Sequence, residues 1–336
     1  MEDRRELFCA YCLSALAEPK TCSACKRRVY CSRECQKADW SFGASGGQGH
    51  KHWCALRCGE EAREWAVRHI SPERGRGVVM LCDVAAGARL MVDAALQHGH
   101  PCLAAGGGAR RAAALDLVPE GSNDLLSKFE LNEYGSRDGP VIGLRLSRIN
   151  SSCDPNAIKV QDDDFGVNVV VALRDIRAGE EVLLSYLPVD DCSVERSADE
   201  SRSLLAAKWG VQCPADCRCH NAALAGLMAR ARELDARIFQ LGGRCDVAGA
   251  VGAAKDLLSI YDEAGLRPLH MSRARTLFDA FQVCVMQKSR KDEAVRFLRG
   301  ALEIHERIYH PNSSQVVQYK ELAASPERHK NYGVAK

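Results

Sequence analysis

Ser147-Arg148-Ile149-Asn150-Ser151-Ser152-Cys153-Asp154-Pro155-Asn156 is the stretch on which the reading of this chain turns. It follows a strand-like run at residues 141–146 and precedes another at 157–160. Small polar side chains therefore bunch where a strand gives way to a loop, a pattern suited to backbone that must approach something closely. Two other segments belong to the same region. Arg74-Gly75-Arg76-Gly77 leads into the alternating run Val78-Val79-Met80-Leu81, and Gly179-Glu180-Glu181-Val182-Leu183-Leu184-Ser185-Tyr186 closes a strand on a tyrosine. Taken singly, Gly-x-Gly reads as a turn and a terminal tyrosine as core. Their co-occurrence asks for a joint explanation.

Working outward, residues 77–92 read as two strands around a Gly turn, and strand signals return at 167–173 and 181–186. Residues 94–122, rich in Ala and Gly, read as a loosely ordered loop with at most one short helix. Asp83-Val-Ala-Ala-Gly87-Ala-Arg-Leu90 is echoed by Asp175-Ile-Arg-Ala-Gly179-Glu-Glu-Val182, each a strand, a Gly-assisted turn and a strand. From Ala222 onward the apolar period becomes 3.6. Leu227, Ala231, Leu234 and Ile238 share one helical face, and Phe297, Ala301 and Ile304 another, widened by Leu298 and Leu302. Tyr261, Phe278 and Phe281 supply bulk for pairing helices. Ser71-Pro72 marks a break upstream of the strand-rich region.

The 336 residues carry 46 Lys+Arg against 44 Asp+Glu, a formal charge of +2. That balance argues against nucleic-acid binding by bulk electrostatics, and specific DNA binding is not expected. No apolar run reaches the ~18–20 residues of a membrane span. The charged start, Met1-Glu-Asp-Arg-Arg-Glu6, predicts no secretory leader. Seventeen cysteines in such a chain predict a reducing compartment, cytoplasm or nucleus, and zinc before disulfides.

Eight of those cysteines lie in the first 58 residues. The spacing runs Cys9-x2-Cys12, Cys22-x2-Cys25, Cys31-x3-Cys35, then His50-x3-Cys54. Each pair delivers two soft donors, so eight donors make two tetrahedral sites. Spacing alone leaves sequential and interleaved pairing both open. His52 with Cys58 competes for the last pair, although His50 and Cys54, four apart, share a helical face. Lys26-Arg27-Arg28 reads as a solvated basic face, with affinity for acidic partners or DNA as the alternative.

Val29-Tyr30-Cys31-Ser-Arg-Glu-Cys35-Gln-Lys-Ala-Asp39-Trp40, followed by His50-Lys51-x-x-Cys54, resembles a MYND finger. The resemblance implies interleaved zinc sites: Cys9, Cys12, Cys31 and Cys35 on one, Cys22, Cys25, His50 and Cys54 on the other. It also implies a protein-interaction module that takes short proline-rich peptides. The nine residues between Trp40 and His50 are a departure from the family's usual two. The three segments of the central region, in their order, resemble a SET domain. With the finger and the helical tail they resemble the SET-and-MYND-domain lysine methyltransferases. Leu126-x-x-Phe129-x-Leu131-Asn132-x-Tyr134 and Trp209-Gly-Val211-x-Cys213 also match that family.

The fold implied is α+β. A MYND module spans 9–54 and a mainly-β SET domain with a knotted active site spans 72–188, an exception to the rule against knots. A post-SET segment follows at 200–220 and a TPR-like helical bundle at 221–336. The activity implied is methyl transfer from S-adenosylmethionine to a neutral lysine amine of a histone or non-histone protein. Gly75, Arg76 and Gly77 would lie against the methionine part of the cofactor, with Asn132, Ser147, Asn150 and Ser151 beside them. Asn156 would knit the knotted segment. Tyr186 would be both catalytic and cofactor-contacting, and Trp209 and Val211 would face the adenine end. Cys153, Cys213, Cys217 and Cys219 would hold a third zinc, with His220 as a competing ligand.

Departures from the family pattern accompany the match. Ser151 stands at a usual His, Val211 at a usual aromatic, and the finger precedes the strands instead of being inserted among them. The alternative they favour is a scaffold with weak or lost catalysis that binds partners through finger and helices. Asp162-Asp163-Asp164 and Asp190-Asp191 read as solvated turns, or as attractors for a basic substrate tail. Cys58, Cys82, Cys102, Cys192, Cys245 and Cys284 are expected to be plain thiols.

Overall fold

The computed structural model describes residues 7–12, 14–16, 18–42, 49–59, 63–94, 96–97, 132, 141–143, 145–187 and 197–335. The 94–122 loop (apart from residues 94, 96 and 97), the 126–134 motif apart from Asn132, Cys102, Cys192 and Asp190-Asp191 lie outside the described residues. The chain divides into two compact units, Met1–Asn150 with Lys159–Leu183, and Ser151–Ile158 with Leu184–Lys336.

In the first unit, β1 (Leu7–Phe8) pairs with β2 (Ala15–Leu16), and β3 (Lys20–Thr21) with β4 (Val29–Tyr30), both antiparallel. Helix α1 (Arg33–Phe42) follows. His50–His52 forms a 3-10 turn instead of the α-helical face the spacing predicts. Beyond it, β5 (Trp65–Ser71) pairs antiparallel with β6 (Gly75–Met80), setting Arg68 opposite Gly77 and His69 opposite Arg76. The break at Ser71-Pro72 is therefore the turn of a hairpin, because proline punctuates turns as readily as linkers. Gly75 closes that turn at φ +62°, in the left-handed region open to glycine. Strand β5 escapes sequence reading because exposed Arg68 and His69 interrupt its alternation.

Strand β7 (Arg89–Ala94) pairs with β12 (Val167–Ala172), and β11 (Ala157–Asp162) lies on the other edge of β12. Every residue of β12 is buried, so it forms the centre of this unit's core. Asp162, expected in a solvated turn, is buried at the end of β11. Strands β8 (Leu96–Gln97) and β9 (Val141–Ile142) make a further short pair. Strand β13 (Glu181–Leu184) pairs with β6 through Glu181 and Val182, and the two-residue β10 (Asn150–Ser151) borders β13 on its other edge.

The internal echo has a structural counterpart. Val84 and Ile176 exchange backbone hydrogen bonds at 2.9 Å in both directions. The Ala86 N–H donates to Asp175 Oδ1 and the Ala178 N–H to Asp83 Oδ1, each at 2.8 Å. Each copy's aspartate thus satisfies the other copy's turn.

In the second unit, α2 (Ala198–Trp209) starts with a capping box between Ser197 and Glu200 and ends at left-handed Gly210. Helices α3 (Ala222–Gly243), α4 (Val247–Glu263), α5 (Met271–Cys284), α6 (Lys291–Ile308) and α7 (Ser314–Ala324) follow, each packed on the next. Asn221, Asp246 and His270 cap the first three with side-chain acceptors. Ala231, Ile238, Leu298 and Ala301 are buried where the 3.6 period puts them, against Leu257, Tyr261 and Phe281. Among the described residues, no helix is long and apolar enough to cross a membrane.

Candidate functional site

Three tetrads of soft donors are suited to zinc, and within each all ligand atoms lie within 4.8 Å of one another. Donors about 2.3 Å from a tetrahedral zinc stand about 3.8 Å apart. In the first tetrad, Cys9, Cys12, Cys31 and Cys35 converge, with Cys31 Sγ 3.5 Å from both Cys12 and Cys35. In the second, Cys22 and Cys54 Sγ are 3.8 Å apart and Cys25 Sγ is 3.6 Å from His50 Nε2. The pairing is interleaved. In the third, Cys153 lies 3.6 Å from Cys213, and Cys217 3.4 Å from Cys219.

The electrostatics of each donor set favour a cation at its centre. Burial, then the charges of Cys25 and Cys22, push the Cys54 thiol up to about 12. Burial and its partners Cys213, Cys217 and Cys219 hold Cys153 far above the ordinary thiol range. Crowded thiolates repel, and a divalent ion turns that repulsion into coordination.

The competing ligands fall outside. His52 and His220 are exposed and belong to no tetrad. Cys58 Sγ instead takes a hydrogen bond of 3.1 Å from Arg27. The basic run is not a solvated face either. Arg28 is 5% exposed and forms a two-pronged pair with Asp39, while Arg27 also donates to the Cys54 carbonyl, so only Lys26 is exposed.

Of the cofactor residues expected in the first unit, Gly75, Arg76, Gly77 and Asn150 come together. Asn150 Nδ2 donates to the Arg76 carbonyl at 3.1 Å and to Glu181 Oε1 at 2.8 Å, with the Arg74 carbonyl at 3.4 Å. Arg74 pairs with the other Glu181 oxygen at 2.9 Å. A Cβ on Gly77 would collide with the Glu181 carboxylate and stand 2.9 Å from Asn150 Nδ2. Glu181 is thus the residue that sequence reading misses. It stands in the Gly179-Glu180-Glu181 run, but nothing local to that run shows that it reaches Asn150. The Ser147 hydroxyl donates to the carbonyl of buried Asn132 at 3.3 Å. Asp93 orders that loop by accepting from the Arg145 and Leu146 N–H groups at 2.7 and 3.1 Å.

In the second unit, Tyr186, Trp209 and Val211 pack around buried Cys153, Leu205 and Cys219 of the third tetrad. The Tyr186 and Trp209 rings lie 5.3 Å apart, tilted by 55°. Ser151, at the position where the family usually has His, accepts the Tyr186 N–H on its hydroxyl at 3.3 Å. The Ser152 N–H donates to the Leu184 carbonyl at 2.8 Å. Asn156 is 1% exposed.

Comparison with known proteins follows the same residues. The MYND finger family model matches residues 9–54. SET domain-containing protein 14 of Caenorhabditis elegans is 30% identical over 173 residues, 46% of this chain and 38% of that protein. SET domain and MYND-type zinc finger protein 6 of Schizosaccharomyces pombe is 25% identical over 229 residues, 63% of this chain and 43% of its own. Human N-lysine methyltransferase SMYD2 is 27% identical over 209 residues, 55% and 45% respectively. In each case the match spans less than half of the relative's length. With the finger matched, its tetrads assembled and relatives of both SET and MYND type, the chain carries a MYND finger and is similar, over part of their length, to SET and MYND domain (SMYD) proteins.

Proposed function

We propose that the chain transfers a methyl group from S-adenosylmethionine to a lysine amine of a protein substrate. The observation that carries this reading is Tyr186, set against Trp209 beside the third Cys tetrad with its backbone held by Ser151. The cofactor would supply an electrophilic methyl on a sulfonium. Little covalent work is left to the protein, so the residues act by positioning and by electrostatics.

Within that reading each residue has a task. Gly75, Arg76 and Gly77 would present backbone to the cofactor, steadied by Asn150 and Glu181. Asn132, Ser147 and Ser151 would contribute polar contacts. The Tyr186 hydroxyl would face the methyl and the incoming nitrogen, and desolvation would favour the neutral, nucleophilic lysine. Trp209 would cover the adenine end. Val211 offers an aliphatic contact where a ring would stack, a loss of about 1 kcal/mol. Zinc in the third tetrad would fix the Cys213–Cys219 tail, and two zincs would fold the finger. The finger would also take a proline-rich peptide. Nothing in this reading calls for DNA, since Lys26 alone of the basic run is exposed.

A second reading, a non-catalytic scaffold, is favoured by one observation. The space over Gly77 is filled by Glu181 and Asn150 of the chain itself, so that glycine is accounted for without a cofactor. Calorimetric titration of zinc-loaded protein with S-adenosylmethionine separates the two, with Asn150→Ala as control. Micromolar binding that the control loses supports the enzyme, and labelled-methyl transfer abolished by Tyr186→Phe completes the case. No binding by folded, zinc-loaded protein leaves the scaffold.

A further inference from the structure

Tyr30, Asp39 and Arg28 form a buried chain of hydrogen bonds that ends on His50 of the second tetrad. Their exposures are 0%, 0% and 5%, and that of His50 is 1%. Arg28 Nε and Nη2 donate to the two Asp39 oxygens at 2.6 and 2.7 Å, which keeps Asp39 an acceptor-only carboxylate. The Tyr30 hydroxyl has one proton and lies 2.8 Å from Asp39 Oδ2, so that proton goes to Asp39. The same hydroxyl oxygen is 3.0 Å from His50 Nδ1. It must therefore accept there, which puts the imidazole proton on Nδ1. Nε2, 3.6 Å from Cys25 Sγ, is left with its lone pair pointed at the tetrad.

From this we infer that Tyr30 and Asp39 are positioning residues for the finger's second zinc site, fixing the tautomer and the aim of His50. The inference rests on zinc occupying that tetrad. Ring contacts act in the same sense, with Trp53 at 4.5 Å and Trp40 at 5.7 Å from the His50 centroid. Arg28 carries the frame further. Its guanidinium lies 4.8 Å over Trp53 and donates to the Ala10 carbonyl at 3.2 Å, inside the Cys9-x2-Cys12 knuckle of the first tetrad. A hydroxyl between histidine and carboxylate lengthens the usual arrangement, in which a metal-binding histidine meets the carboxylate directly.

Two measurements on the full zinc-loaded chain test this. Long-range proton–nitrogen correlation of the histidine rings should find the His50 proton on Nδ1 and Nε2 bound to metal. Chelator competition should then show Tyr30→Phe losing zinc from the second tetrad about 10- to 100-fold more readily. The third tetrad and a His52→Gln control should hold theirs unchanged. Cobalt substitution distinguishes the tetrad that includes a histidine from the two all-cysteine tetrads by its absorption. A proton on Nε2, unchanged retention in Tyr30→Phe, or equal loss from all three tetrads would overturn the relay. A wild-type chain that carries no zinc in the finger would instead overturn the metal reading beneath it. Tyr30→Phe keeps the ring, and the tautomer is read on unmutated protein, so a folding defect in the variant does not shelter the inference.

Discussion

The finger at residues 9–54 has Cys9, Cys22, Tyr30 and Cys54 as its core, whereas the helices from α3 onward bury Leu257, Tyr261, Phe281 and Leu298. The first core is mostly metal ligands around Tyr30, with few other apolar side chains and strands two residues long. The second is continuous apolar packing between helices of 11 to 22 residues. So small a set of apolar contacts does not offset the conformational entropy of ordering residues 9–54, while the helices do so by burial. In one region the metal-ligand residues make the core, and in the other apolar burial does.

Zinc removal gives the largest contrast. Structural zinc contributes about 10–16 kcal/mol per site. Exhaustive chelation should erase hydrogen-exchange protection at β4 and α1 while α4, α5 and α6 keep theirs. Equal loss in both regions would break the comparison. The converse experiment is Phe281→Ala. Phe281 is 0% exposed and rests against Phe278 and His329 at 5.8 and 5.2 Å, so truncation should cost about 3–5 kcal/mol. A lowered melting transition of the helices, with finger zinc content unchanged, is the expected outcome.

How much of this is legible in sequence follows the same division. Paired metal ligands announce themselves by spacing, so the finger's eight donors are readable, whereas their interleaving and the third set, which reaches back to Cys153, come with the family resemblance. The helices are readable from Leu227, Ala231, Leu234 and Ile238 because burial imposes a period on a regular element. What spacing and period do not encode is which polar groups meet across the fold. Arg28 reads as surface charge in Lys26-Arg27-Arg28, because nothing local shows that Asp39 awaits it eleven positions on. Glu181 meets Asn150 across 31 positions, and Ser151 meets Tyr186 across 35. Such contacts are set by strand register, which the exposed Arg68 and His69 of β5 already obscure.

A buried charge inside the helices sharpens the contrast at smaller scale. Asp279 is 8% exposed, its Oδ1 takes only a 3.2 Å bond from Gln282, and its Oδ2 has no hydrogen-bond partner. Burial raises its carboxyl to about 6 against the pull of Arg275, and Asp235 adds to the rise. An acid whose folded pKa is raised binds more protons folded than unfolded, so stability falls as pH climbs from about 4 to 6 and is level above. Asp279→Asn should therefore stabilise the helices by about 2 kcal/mol at pH 7 and flatten that slope. Urea midpoints at pH 4.5 and 7 measure it. A variant that is less stable at pH 7 would show that the Arg275 attraction outweighs the burial.

The smallest effect probes the place in the second unit where metal-made and burial-made structure meet along the chain. Asn221 lies two residues after Cys219 and caps α3, its Oδ1 accepting the Ala223 and Leu224 N–H groups at 2.9 and 3.2 Å. On the other side, Arg202 of α2 donates to the Cys219 carbonyl at 2.6 Å. Asn221→Ala removes the acceptor and should cost about 1 kcal/mol of helix stability, whereas Asn221→Gly should cost only a few tenths. If the tetrad and the helix are independent, chelator competition will show third-site zinc held equally by both variants and wild type. If the alanine variant alone gives up that zinc more readily, the cap and the ligands form one cooperative element. The zinc would then act on α3 through the short link from Cys219 to Asn221, and the division between metal core and apolar core would hold for the finger but not for this tail.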